Sequence, residues 1–173
     1  QSLVVTGDTL VYGLNQDFQI ESHLIVKNVS NDTSLVLCEK NVISQSSSGD
    51  NAFCWGGTCY GTGTMISTKL DTLDPGEQTN GFTGYFYPSW ISQPTGACSS
   101  VVEYCFYLQS NPQDETCITV TYNAMEPSSS NIFDVKEGIG NFYPNPASKY
   151  TSFSYNVEGF STFEITDVLG NVI

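Results

Sequence analysis

Between Phe18 and Lys27 the chain alternates apolar and polar residues with a period of two. Phe18, Ile20, Leu24 and Val26 fall on one side, and Gln19, Glu21, His23 and Lys27 on the other. Successive side chains of a strand point to opposite faces, so such a segment needs a second layer to cover one face and water on the other. The pattern recurs along the chain. Leu35 to Ser44 is strand-like and richer in apolar residues, as a central strand would be, and Met65 to Leu70 is a shorter candidate. Asn80 to Pro88 reads as an aromatic strand, and Val101–Leu108 with Thr116–Tyr122 as a hairpin around Ser110-Asn-Pro-Gln-Asp114. Asp74-Pro75-Gly76-Glu77 is a turn, because proline presets φ at its second position and glycine accepts positive φ at its third. No amphipathic helix of three turns stands out.

About seven short strands over roughly 120 residues, separated by turn signals, predict an all-β fold. The expected form is an immunoglobulin-like antiparallel β-sandwich over residues 1–124. An antibody-type core would pair Cys38 with Cys105 against Trp55. Trp55 lies between Cys54 and Gly56 in a loop-like segment, and Glu103 stands where the corner tyrosine would be, so a similar sandwich without that core is expected. Met125-Glu-Pro-Ser-Ser-Ser-Asn131 opens a linker over 125–140. A second, incomplete β-unit follows over 141–173, with Thr151, Phe153, Tyr155 and Val157 on one face.

Charge narrows the partners. Five lysines and no arginine stand against eighteen Asp and Glu, for a formal charge of -13. Such a surface repels phosphate backbones and anionic headgroups, which argues against nucleic acid and membrane surfaces. No run approaches the ~20 apolar residues of a membrane span. No basic segment followed by an apolar one opens the chain, so a start at Gln1 fits a mature form whose export signal has been removed.

Six cysteines occur, at positions 38, 54, 59, 98, 105 and 117. An even count in a chain of this character predicts disulfides and an oxidising compartment. Cys54-x4-Cys59 is the tight pair and is expected to close a small loop with Gly56 and Gly57 supplying backbone freedom. Cys105 and Cys117 lie on the two strands of the expected hairpin and could be near each other, but the pairing of Cys38, Cys98, Cys105 and Cys117 stays open. With one histidine, His23, and no further Cys doublets, neither a metal site nor a cofactor is expected.

The Phe53-Cys-Trp-Gly-Gly-Thr-Cys-Tyr60 segment has two readings. One is a structural staple that fixes Trp55 as a lid over the core. The other is a rigid binding loop bearing Trp55 and Tyr60, with Trp90 as a further candidate. Aromatics cluster at Tyr85-Phe-Tyr87, Trp90 and Tyr104-Cys-Phe-Tyr107, and an aromatic platform with nearby carboxylates could stack sugar rings. The competing reading is that alternate aromatics fill the core. Asp50, Asp71, Asp74, Glu77, Asp114 and Glu115 are expected in solvated turns, with no Asp-x-Asp-x-Asp-Gly calcium run. Nucleophilic catalysis would depend on His23 alone, and no nucleophile elbow or phosphate loop is present, so no catalytic residue is expected.

The last fifth of the chain carries a resemblance. Tyr143, Pro144, Asn145, Pro146 and Ala147 open the second unit, and Asp167, Val168, Leu169 and Gly170 form a later turn. Together they resemble the first half of the C-terminal sorting domain carried by cargo of the type IX secretion system. The Phe-Cys-Trp-Gly…Cys-Tyr segment is similar to poorly characterised immunoglobulin-like domains that precede such sorting domains. The resemblance implies a Gram-negative bacterium, passage through the periplasm, the type IX machinery as partner, and release or display at the outer cell surface. It brings no activity. The family's domain runs on into further strands and a basic end, so residues 141–173 correspond to a truncated or degenerate signal. A half-sandwich leaves an unpaired edge, which would pack on the first domain, stay mobile or exchange strands in a dimer. The functional expectation is a non-enzymatic binding or structural module, with an unknown protein or glycan as ligand. A glycan-binding domain is the main alternative and a small hydrolase a further one.

Overall fold

The computed structural model describes residues 1–127 and Ser152. The chain divides into two units, Gln1–Pro127 and Ser128–Ile173. The sorting-type residues Tyr143, Pro144, Asn145, Pro146, Asp167, Leu169 and Gly170, and the linker beyond Pro127, lie outside the described residues.

Ten strands build the first unit: β1 (Leu3–Gly7), β2 (Leu10–Leu14), β3 (Ile20–Asn28), β4 (Ser34–Gln45), β5 (Asp50–Trp55), β6 (Thr58–Tyr60), β7 (Asp71–Leu73), β8 (Gln78–Tyr87), β9 (Cys98–Leu108) and β10 (Asn111–Met125). They form two five-stranded sheets, β1-β3-β8-β5-β6 and β2-β10-β9-β4-β7. The fold is an all-β, immunoglobulin-like sandwich. Every pairing is antiparallel except β2 with β10, which run parallel. The first two strands therefore belong to different sheets, and the chain changes layer between Gly7 and Leu10.

The period-two logic holds residue by residue in β3, where Ile20, Ser22, Leu24, Val26 and Asn28 are buried and the residues between them exposed. Phe18 departs from it. It precedes the strand, in the turn after β2, and is 75% exposed. Met65–Leu70 is a loop rather than a strand, touching β4 through a single bridge from Ile66 to Glu39. The segment read as a loop around Trp55 is the β5–β6 hairpin. Gly56 and Gly57, at φ 59° and 70°, make its two-residue turn, and two successive positive φ values are what a type I′ hairpin turn demands. The β9–β10 turn is tighter than expected. Leu108 faces Asn111, and residues 112–114 are absorbed into a bulge of β10. β10 runs to Met125, so the sandwich extends past residue 124.

Large rings fill the space between the sheets. Trp55, Phe53, Phe82, Phe86, Tyr104, Phe106 and Tyr122 are all buried. Trp55 meets Phe106 edge-on at 5.0 Å, and Phe82 meets Tyr104 at 4.7 Å. Polar atoms in this core find partners. The hydroxyls of Ser22, Tyr122 and Tyr104 form a chain, 2.6 Å and 3.0 Å apart, over Gly84. A Cβ on Gly84 would fall 2.7 Å from two of those hydroxyls, so the network needs a glycine beneath it. Burial raises Tyr122 to about 12 and holds Tyr104 well above the ordinary phenol range. Lys40 points inward from β4 and is 1% exposed. Its ammonium donates to the carbonyls of Asn51 and Thr62, the latter at 2.7 Å, and burial lowers its pKa.

Candidate functional site

The outer face of the first sheet carries what the core does not absorb. Along β8, Phe82, Gly84 and Phe86 point inward, so Tyr85 and Tyr87 point out. The chain then turns at Pro88. The N–H of Ile91 donates to Ser48 O at 2.9 Å and holds that turn, which leaves Trp90 55% exposed. On the neighbouring side, Asp17 folds the β2–β3 turn by accepting the N–H of Leu14 at 2.7 Å, and Phe18 projects from it.

Tyr87 is the hub of the resulting cluster. Phe18 meets it edge-on at 5.7 Å, and Trp90 lies at 5.2 Å with a tilt of 36°. Tyr85 runs nearly parallel to it, with centroids 6.1 Å apart and planes 10° apart. Acceptors border the rings. Glu21 on β3 stands opposite Tyr85, and Asp50 on β5 stands opposite Tyr87. Directly opposed residues bring their Cβ atoms to about 5 Å, so both carboxylates flank the aromatic row. Gln19 donates its amide to Glu21 Oε1. Partial burial pushes the Tyr87 phenol up, and the neighbouring Tyr85 and Glu21 add to the rise. The Tyr85 hydroxyl lies 3.7 Å from the Cys54 sulfur and donates toward it, since a disulfide sulfur carries no proton.

The sequence-predicted residues separate into core and surface. Cys54 and Cys59 form a disulfide across the β5–β6 hairpin. Trp55 is wholly buried, with its indole N–H donating to Val36 O at 3.0 Å, so it offers no ring to a ligand. Tyr60 is also buried. It stacks on Phe53 at 5.0 Å, and its hydroxyl accepts the N–H groups of Thr68 and Lys69. Both residues alternate inward on a hairpin, which corrects the reading of them as loop-borne contact residues. Trp90 alone of the three reaches solvent. Phe18 joins the cluster although the sequence alternation puts it on the inward side, because β3 begins only at Ile20.

The remaining cysteines resolve. Cys105 pairs with Cys117 between β9 and β10. Cys38 and Cys98 are buried thiols, both pushed up by burial. Cys38 stands opposite Phe106, eight residues along β9 from Cys98. At about 3.4 Å per residue that is ~27 Å, far beyond disulfide reach. The Glu103 carboxylate comes within 4.8 Å of the Cys105 and Cys117 sulfurs, but both sulfurs are bridged and neither is a thiolate ligand.

Of the carboxylates expected in solvated turns, Asp74 and Glu77 lie exposed in one, and the other four, Asp50, Asp71, Asp114 and Glu115, fall within strands. Asp114 accepts the N–H and hydroxyl of Ser2, at 2.9 Å and 2.6 Å, which lowers its pKa. Glu77 accepts the N–H of Asp74 at 2.8 Å and closes the Asp74–Glu77 turn, where Gly76 takes φ 81°. His23 is exposed on the outer face, with Nε2 3.6 Å from Glu21. Its neighbour Ser22 points into the core. Among the described residues no helix is long and apolar enough to cross a membrane.

The fold and its two disulfides define the class: a disulfide-bonded, immunoglobulin-like β-sandwich, of the kind that suits an oxidising compartment. No family model matches the sequence, and no curated protein matches it. Similar solved structures include the N-terminal domain of PorA, at 16% identity and TM-score 0.46 over 72% of this chain and 97% of that one. The PapD-like domain 7 of human CEP192 aligns at 8% identity and TM-score 0.42, over 72% of this chain and 84% of that one. The periplasmic chaperone SfaE aligns at 8% identity and TM-score 0.42, over 89% and 82%. These are likenesses of fold.

Proposed function

We propose that this chain is an exported, non-enzymatic binding module whose recognition surface is the Phe18–Tyr85–Tyr87–Trp90 cluster. The observation that carries the reading is that Phe18, Tyr85 and Trp90 all meet Tyr87 on the outside of a sandwich whose interior is already filled by eight other rings. Exposed aromatics in contact, bordered by polar groups, are the composition of recognition surfaces. The non-enzymatic reading is supported by His23, which lies on an open sheet face, and by the adjacent Ser22, which is turned inward to Tyr122.

A glycan is the favoured ligand among the alternatives, because Glu21, Asp50 and Gln19 supply hydroxyl acceptors beside the rings. Delivery is proposed to follow the type IX route, on the resemblance of residues 141–173 to its sorting domain. Disulfides in the first unit suit passage through an oxidising periplasm.

The test is to probe a glycan array and a displayed-peptide library with the full chain and with a Tyr87→Ala/Trp90→Ala double variant. A ligand held by the parent and lost by the variant is expected. Ligands held equally by both, or none on either array, would place recognition elsewhere or nowhere.

A further inference from the structure

The aromatic row sits in an electrostatic setting that restricts what can lie on it. Glu21 and Asp50 flank it from the two neighbouring strands. Lys27, the lysine on the same face of β3, is six residues from Glu21, about 20 Å along the strand. Lys40, though close to Asp50 in sequence and in field, points into the core and spends its donors on two carbonyls. His23 lies beside Glu21 on the same face, one outward position beyond it along β3. The row is thus a patch of apolar rings bounded by acceptors, on a chain of net charge -13. Resting on the binding reading above, we infer that this surface takes a saccharide chain free of acidic groups, with its C–H faces on Tyr85, Tyr87 and Trp90 and its hydroxyls donating to Glu21 and Asp50.

The chemistry argues for this occupant over the others. A pyranose ring presents an apolar C–H face and a rim of hydroxyl donors, which matches rings bordered by carboxylates. An anionic sugar, a uronate or a sulfated unit, would bring its charge against two carboxylates; the chain has no arginine, and among the described residues neither Lys27 nor Lys40 lies beside the row. Glu21 and Asp50 then act as specificity-determining residues, rewarding hydroxyls and rejecting acids. A like-charge contact near 4 Å in water costs about fivefold in affinity, so two contacts predict discrimination of roughly twenty-fivefold.

The experiment is calorimetric titration of the full chain with neutral hexasaccharides of β-glucan, xylan, mannan and chitin, and with hexagalacturonate as the acidic probe. At least one neutral probe is expected to bind, with hexagalacturonate weaker by roughly twenty-fivefold or more at low salt. Trp90→Ala is expected to weaken the neutral ligand at least tenfold. Glu21→Gln/Asp50→Asn keeps the polar surface and is expected to narrow the neutral-to-acidic gap to within about threefold. Equal binding of neutral and acidic probes would overturn the charge selectivity while leaving glycan binding in place. Absence of binding by every saccharide, alongside a Trp90-dependent peptide from the displayed library, would overturn the sugar class and leave the surface standing. Saccharide binding untouched by Trp90→Ala would overturn both.

Discussion

Trp55 and Trp90 are the two tryptophans of the chain and have opposite fates. Trp55 is enclosed, edge-on to Phe106 and bonded to Val36 O, whereas Trp90 stands in water against Tyr87. The contrast sets a stability prediction. Trp55→Ala removes the largest buried side chain and leaves a cavity and an unpaired carbonyl, for a loss of about 3–5 kcal/mol. Trp90→Ala is a surface change and should stay within about 0.5 kcal/mol. Urea denaturation of the two variants checks both values, and a Trp90→Ala loss comparable to that of Trp55→Ala would mean the exposed ring is structural. Lys40 shows the same economy at a polar residue. Its stem crosses the core and its ammonium supplies the Asn51 and Thr62 carbonyls with donors.

Two hairpins carry disulfides that join directly opposed residues, so each staples a register already set by its strands. Their loops differ, with sequence separations of 5 and 12. Loop-closure entropy then makes Cys105–Cys117 the stronger constraint on the unfolded chain, by about 0.8 kcal/mol. Paired Cys→Ser variants of each bridge should differ in that order in denaturant midpoint, and the reverse order would show that native packing around Cys54–Cys59 dominates. How legible these elements were depended on length and partners. β3 and β8 announce themselves because large apolar residues recur at alternate positions, Ile20, Leu24 and Val26 in one and Phe82 and Phe86 in the other. β5 and β6 do not, since Cys54-Trp-Gly-Gly-Thr-Cys59 spends its glycines on a turn and leaves too few residues for alternation. Met65–Leu70 has the composition of a strand, yet Tyr60 claims the N–H groups of Thr68 and Lys69 and draws that stretch out of the sheet. The aromatic surface was half legible: the i, i+2 spacing of Tyr85 and Tyr87 puts them on one face, but which face is out depends on Phe82 and Phe86 reaching Tyr104 and Tyr122.

Across the whole sandwich, the two sheets are joined by the Ser22–Tyr122–Tyr104 hydroxyl chain as well as by apolar packing. That chain makes stability fall in alkali. Tyr122 ionises near 12 folded but near 10 when unfolded, so its contribution is whole below about pH 10 and drains away as pH rises toward 12. Lys40 acts in the opposite sense, because its folded pKa is lowered and its protonated form is favoured by the unfolded chain. Its contribution improves as pH climbs to the unfolded value of 10.5. Tyr122→Phe should therefore flatten the stability loss between pH 10 and 12, measured by denaturation at fixed ionic strength. An unchanged slope would assign that loss to other groups.

The same division of inside from outside supports the functional claim, and the two tryptophans can report it separately. With 5-fluorotryptophan incorporated, the chain should give two fluorine resonances, assigned by Trp90→Phe. Titration with the neutral hexasaccharide that binds is predicted to shift the Trp90 line saturably and leave the Trp55 line in place. A shift of the Trp55 line with Trp90 unmoved would contradict recognition at the outer aromatic face.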